Sequence, residues 1–232
     1  MLTRLPHRVT EWGYSPAATV SFSRPALPRF SGQAADRLHR ALNAAAATLL
    51  LLLSTPLLAL AGFLIKLDDG GAVFFRQVRC GLNGGRFRLL KLRTMIDGAE
   101  SQKPALLARN ELRGPVFKIR NDPRLTRVGR LLRRLSLDEI PQLLNVIAGD
   151  MALVGPRPPL PEEVERYEPW QMRRLSVLPG LTGLWQVSGR NEIDFEAGVR
   201  LDLLYVDRRC LRLDAEILLR TLPVVLSGRG AR

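Results

Sequence analysis

Two adjacent carboxylates, Asp138 and Glu139, stand in the run Ser136-Leu-Asp-Glu-Ile-Pro-Gln142, directly after a stretch crowded with arginine: Arg120, Arg124, Arg127, Arg130, Arg133 and Arg134. Arg157 follows in a Gly-Pro-Arg-Pro turn at 155–158. Carboxylates hold divalent cations or act as nucleophiles, and guanidinium groups grip phosphate oxygens two at a time. Acid and base side by side in this way suit chemistry on a nucleotide diphosphate.

The elements around these residues decide how they are presented. Val128, Leu131, Leu132 and Leu135 recur at three- and four-residue steps, so 125–135 is predicted as a helix with Arg127, Arg130 and Arg134 on a neighbouring face. Pro141 is tolerated only in a first turn, which starts the next helix near Asp138 and leaves open that Asp138 is merely its N-cap. A cap and a phosphate site are compatible there, because a helix start presents free amides. Upstream, 72–80 and 86–93 read as strands about Gly81-Leu-Asn-Gly-Gly85, a hairpin signal. Their cations Arg76, Lys91 and Arg93 are candidate substrate-binding residues, against the plainer reading of a solvated strand face. Acidic residues early and Arg173 and Arg174 late predict a helix over 161–175. Residues 179–190 read as a glycine-punctuated loop, and 211–226 as a surface helix interrupted near Pro223.

Residues 44–65 carry no charge over 22 positions, long enough for about 33 Å of helix. This segment is predicted to sit in a membrane. Arginines flank it on both sides, so neither end is marked for export, and Pro56, preceded by Ser54 and Thr55, can kink it midway. A re-entrant helix, a spanning helix and a cleavable signal ending near Ala59-Leu-Ala61 are the competing readings.

The whole chain has 232 residues, 46% of them hydrophobic, which suffices for one catalytic domain with appendages. A formal charge of +13 fits nucleic acid, an anionic membrane face or a phosphorylated substrate equally well. Only Cys80 and Cys210 are present, far apart, which indicates neither a disulfide framework nor a zinc site.

Taken together, Phe74-Phe-Arg-Gln77, Lys91-Leu-Arg-Thr-Met95, residues 136–158 and the 179–190 loop resemble the bacterial sugar transferase family, the monotopic polyprenol-phosphate phosphoglycosyl transferases. The resemblance covers residues 38–226. It implies transfer of a sugar 1-phosphate from a nucleotide diphosphate sugar, a UDP-hexose by expectation, to undecaprenyl phosphate at the cytoplasmic face of the bacterial inner membrane, as the first step of surface polysaccharide assembly. It further implies magnesium, Asp138 and Glu139 as the catalytic and metal-holding pair with a phosphosugar formed on Asp138, and Arg157 as a donor-binding arginine. The implied fold is α/β: a basic arm (1–36), a re-entrant membrane helix kinked at Ser54 and Pro56 (37–66), and a cytoplasmic catalytic domain of helices about a small sheet (67–232). The chain resembles the small catalytic form with a basic extension, and a homo-oligomer is compatible with it. Ala152 stands where relatives often have serine, and Arg208-Arg-Cys210 where they are more aromatic. Two rivals from other classes are a membrane-tethered nucleic-acid-binding module and a non-catalytic scaffold. No nucleic-acid motif supports the first, and carboxylates amid the basic residues oppose it.

Overall fold

The computed structural model describes residues 32–111, 117, 119, 121–189 and 193–227. Most of the basic arm, Arg120 and Arg190 lie outside the described residues. The first element is one long helix, α1 (Gln33–Asp69), 37 residues rich in alanine and leucine, closed by Gly70 in the left-handed region with its N–H on the Lys66 carbonyl. It starts inside the segment read as an arm and runs past 66.

α1 has two unlike sides. Ala47, Leu51, Ser54, Leu58, Ala61 and Ile65, at helical spacing, are less exposed than their neighbours and face the rest of the chain. Leu49, Leu52, Leu53, Leu60 and Phe63 point outward, Leu53 at 71% exposure. Only 11% of the most apolar stretch is buried, so this is not the core helix of a soluble protein; by length and composition it can cross a membrane. Pro56 lies within the helix, and the Ser54 and Thr55 hydroxyls donate back to the Leu50 and Leu51 carbonyls (2.6 and 2.9 Å), a bond type that bends helices.

Both ends of α1 hold the same domain. Near its start, Asp36 pairs with Arg209 (3.3 Å), His39 with Asp214 (2.8 Å), and Asn43 Oδ1 accepts from the Leu153 N–H (2.6 Å). At its far end Asp68 accepts from the Val128 N–H (3.0 Å), and Asp69 takes both terminal nitrogens of Arg93.

Strands β1 (Phe74–Cys80) and β2 (Arg86–Leu92) form the expected antiparallel hairpin. Asn83 (φ 54°) and Gly84 (φ 78°) supply the two left-handed residues that its tight turn demands. Helix α2 (Arg127–Arg134) is capped by Thr126, whose hydroxyl accepts from the Gly129 N–H, and places its arginines as the periodicity predicts. A 3-10 turn (Leu137–Gln142) runs into α3 (Leu143–Ala148).

Then come β3 (Ala152–Val154), α4 (Pro161–Val164), β4 (Gly180–Thr182), α5 (Leu184–Ser188), α6 (Phe195–Arg208) and α7 (Leu211–Ser227). The main core joins Leu89, Val146, Met151, Leu201 and Ile217 to Ala47 of α1, and a second cluster joins Ala61 and Ile65 of α1 to Leu92 and Leu132.

Three expectations change. The 161–175 helix is broken: α4 stops after four residues and a 3-10 turn resumes at Gln171, because Pro169 disfavours helical geometry at Glu168. The 179–190 loop contains β4, parallel to β3, and then α5. Its glycines are there for backbone contact: a Cβ on Gly180 would lie 2.0 Å from the Gly155 nitrogen, and one on Gly183 2.2 Å from the Gly155 carbonyl oxygen. α7 passes through Pro223 uninterrupted, since Leu219, whose carbonyl loses its amide partner, lies with Pro223 on the exposed side, and Leu213 and Ile217 anchor the other face.

Candidate active site

The acidic pair sits at a sharp corner. Ser136 takes a left-handed conformation (φ 55°) between α2 and the 3-10 turn, and Ser136, not Asp138, is the residue before the turn. Asp138 is thus no N-cap; it lies inside the first turn with only 6% exposure. β2 pairs Lys91 with Phe75 and turns Lys91 towards this corner. Its Nζ is 2.8 Å from Glu139 Oε1 and 3.9 Å from Asp138 Oδ2, beyond hydrogen-bond reach of the latter.

Burial pushes the Asp138 carboxyl above the ordinary aspartate range. Lys91 opposes that rise, Glu139 adds to it, and Arg133 and the Asp138 N–H oppose it. The result is a carboxylate that is desolvated and only partly compensated, which makes it a better nucleophile than one in water.

The other sequence candidates divide. Lys91 joins the pair, while Arg76, opposite Leu90, projects from the other face of the hairpin and is exposed. Arg93 is committed to Asp69, to the Ala72 carbonyl and to the Met95 carbonyl, so it clamps the end of α1 onto β2. Ser54 and Pro56 lie within α1, just past its midpoint. Arg133, not singled out beyond its place in the arginine run, is half-buried beside Asp138 and is held by Thr94 (Nε to Oγ1, 2.9 Å).

Arg157 is presented with unusual rigidity. Four successive carbonyls of its turn each accept a hydrogen bond: Pro156 from the Gly180 N–H (2.9 Å), Arg157 from Arg174 Nη2 (3.4 Å), Pro158 from Arg79 Nη1 (3.1 Å), Pro159 from the Cys80 N–H (2.9 Å). Its guanidinium stacks over the Trp185 ring, 5.8 Å from the centroid. Sequence reasoning missed Arg79, which β1 places on the same face as Lys91. Its pKa is pushed down to about 10, by burial and then by the charge of Arg157. Alternation along β1 was the available signal, and a charged residue read as solvated hid it.

Arg174, buried, forms an ion pair with buried Asp202 and donates to the Tyr167 hydroxyl (2.9 Å). Burial raises Asp202 to about 6, and the pair is ionised at neutral pH because the guanidinium keeps its proton in contact with the carboxylate.

Among the described residues no group of three or more His, Cys, Asp or Glu side chains could hold a metal ion. Asp138 and Glu139 still suit magnesium, which takes one or two carboxylates and draws its remaining oxygens from water and substrate phosphates.

Residues 34–228 match the family described as bacterial sugar transferase, and the chain belongs to that family. The exopolysaccharide production protein ExoY of Rhizobium meliloti (strain 1021) is 43% identical over 83% of this chain and 87% of its own length. The galactosyl transferase CpsE of Streptococcus agalactiae serotype III (strain NEM316) is 50% identical over 71% of this chain, which spans 37% of CpsE. A UDP-glucose:undecaprenyl-phosphate glucose-1-phosphate transferase of Caulobacter vibrioides (strain ATCC 19089 / CIP 103742 / CB 15) is 41% identical over 88% of this chain and 74% of its own length.

Proposed function

We propose that this enzyme transfers a sugar 1-phosphate from a nucleoside diphosphate sugar, a UDP-hexose, to undecaprenyl phosphate, through a covalent phosphosugar on Asp138. The observation that carries the reading is the buried, part-compensated Asp138 carboxylate with Lys91 and Arg133 beside it, in a family whose named relatives include an undecaprenyl-phosphate glucose-1-phosphate transferase.

In the first displacement an Asp138 oxygen bonds to the phosphorus that carries the sugar, and the bond to the nucleoside monophosphate breaks. In the second, an oxygen of undecaprenyl phosphate bonds to the same phosphorus and the Asp138 carboxylate leaves. Lys91 and Arg133 offset charge on the oxygens of the attacked phosphate, where a water-poor site magnifies their effect. Arg157 grips the departing phosphate. Asp138 and Glu139 are the residues that would hold magnesium, which would neutralise charge on the diphosphate.

The test is incubation of detergent-purified protein with donor alone. A mass increase localised to Asp138, with stoichiometric release of nucleoside monophosphate, is expected; chelation should prevent both and added magnesium restore both. Monophosphate release that requires the acceptor, with Asp138 unmodified, would replace the covalent route by direct transfer.

The second part of the proposal concerns the anchor. A straight helix of this length extends about 55 Å, against about 30 Å of hydrocarbon, so a spanning α1 would put its two ends on opposite sides. Asp36 and His39 at one end and Asp68 and Asp69 at the other engage one domain, which supports entry and exit by the cytoplasmic face with a bend at Ser54-Thr55-Pro56. Single cysteines near Ser31 and Asp97, in a background lacking Cys80 and Cys210, should both resist an impermeant reagent in intact cells. Labelling of the Ser31 reporter alone would make α1 a spanning helix.

A further inference from the structure

Four arginines are buried among the described residues: Arg79, Arg93, Arg124 and Arg174. Three of them are bonded to an aspartate, Arg93 to Asp69, Arg124 to Asp122 and Arg174 to Asp202. Arg79 is the exception. Its two terminal nitrogens donate to neutral oxygens, Nη2 to Gln77 Oε1 (2.7 Å) and Nη1 to the Pro158 carbonyl (3.1 Å), and its Nε–H is buried without a partner. The carboxylates that attract it, Glu163, Glu139 and Glu100, act from a distance. Two of them are engaged elsewhere: Glu163 accepts from the Leu160 N–H (2.9 Å) and Glu139 from Lys91 (2.8 Å).

A guanidinium does not shed its proton, so neutral acceptors satisfy its hydrogens and leave its charge. Burying a charge that nothing neutralises is costly, which is why buried charges are normally paired. Here the neighbour is a second cation, since the charge of Arg157 acts against that of Arg79. Backbone joins the two. Arg79 bonds the carbonyl that follows Arg157, and the Cys80 N–H bonds the next one, Pro159 (2.9 Å), so β1 carries the turn that presents Arg157. A site that gathers two cations and bonds neither to a carboxylate among the described residues is short of an anion.

We infer that Arg79 is a positioning residue that acts through Arg157: it fixes the Gly-Pro-Arg-Pro turn by the Pro158 carbonyl, and its uncompensated charge reserves that turn for a phosphate anion. The neutral Gln77 is part of the device, because a glutamate there would hold the same fork and cancel its charge. The inference rests on the reading of Arg157 as the arginine that grips a substrate phosphate.

Inorganic pyrophosphate, in constant excess magnesium, is a probe that carries neither base nor sugar. Its binding to the full chain in detergent is measured by calorimetry, with the melting transition of each variant recorded alongside. Gln77→Glu should weaken pyrophosphate several-fold while melting at or above the wild-type temperature, because an ion pair replaces a neutral bond. Arg88→Gln, the same change of charge on the other, exposed face of the hairpin, should leave binding unchanged. Arg79→Lys keeps the charge but loses the bridge from Gln77 to Pro158, and should cost about tenfold in affinity. Added to Arg157→Lys, it should cost no more than about twofold further, since one residue acts through the other.

Unchanged affinity in Gln77→Glu, an equal loss in Arg88→Gln, or a melting transition that falls together with affinity in Gln77→Glu overturns the inference. Losses at Arg79 and Arg157 that multiply do the same. A wild type that does not bind pyrophosphate, or binding that Arg157→Lys leaves unaltered, strikes the reading of Arg157 and this inference with it. A loss confined to Arg157→Lys overturns the role of Arg79 alone.

Discussion

Asp138 and Asp202 are both buried aspartates whose carboxyls burial pushes upward, yet their surroundings differ in one respect. Asp202, at 1% exposure, is locked to the Arg174 guanidinium, which also braces Tyr167 and the carbonyl of Arg157. Asp138 has its nearest lysine nitrogen at 3.9 Å, and that lysine bonds its neighbour Glu139 instead. A fully matched buried carboxylate is scaffold. One left short of a partner retains reactivity, and it does so at a cost in stability.

The contrast breaks most visibly on substitution. Asp138→Asn should lower turnover by on the order of 10⁴-fold or more, as expected when a covalent nucleophile is removed. Near-normal turnover in that variant would return Asp138 to a structural role. Asp202→Ala should leave the chemistry at Asp138 formally intact but destabilise the fold by about 3–5 kcal/mol, because Arg174 stays buried without its partner; an unshifted denaturation midpoint would show the pair to be dispensable. Between these sites lies Arg157, where Arg157→Lys keeps the charge and loses the planar fork. About 1–3 kcal/mol should disappear from kcat/KM, with folding unchanged.

The smallest effect is the most diagnostic. A raised folded-state pKa means that Asp138 holds its proton more tightly when folded than unfolded. Its favourable contribution to stability is therefore full below the ordinary aspartate value and is lost as pH rises through the raised one. At neutral pH the ionised carboxylate destabilises the fold, so Asp138→Asn should melt at a higher temperature than the wild type. Over the same interval the wild type should gain kcat/KM as pH rises, since on the proposed route the ionised carboxylate is the attacking form. A lower melting temperature for the asparagine variant would mean that its partners outweigh its burial.

Local signals carried much of this architecture. Asn83-Gly84 announced the hairpin because only that chemistry tolerates two left-handed residues in a row, and the leucine spacing of 125–135 announced α2. The Asp-Glu pair and the Gly-Pro-Arg-Pro turn were visible as residue types. What stayed hidden depends on partners distant in sequence. Arg93 looked like a ligand for phosphate until Asp69, 24 residues away, claimed it. Arg79 looked like any strand arginine until the Pro158 carbonyl, 79 residues on, fixed it beside Arg157. The glycines of 179–190 read along the chain as punctuation of a loop, whereas they are there because Gly155 approaches them. Charge and glycine are ambiguous along a chain because water, ligand and protein all satisfy them; geometry decides which does.

The two-ended grip of α1 bears on how such an enzyme is made. Ala47 belongs to the main core and Ala61 and Ile65 to the second, so the catalytic domain cannot close its interior until the anchor has been laid down beside it. Docking of α1 is then a step of folding and not a later attachment, and a copy in which it failed would carry an open core beside a row of bare leucines.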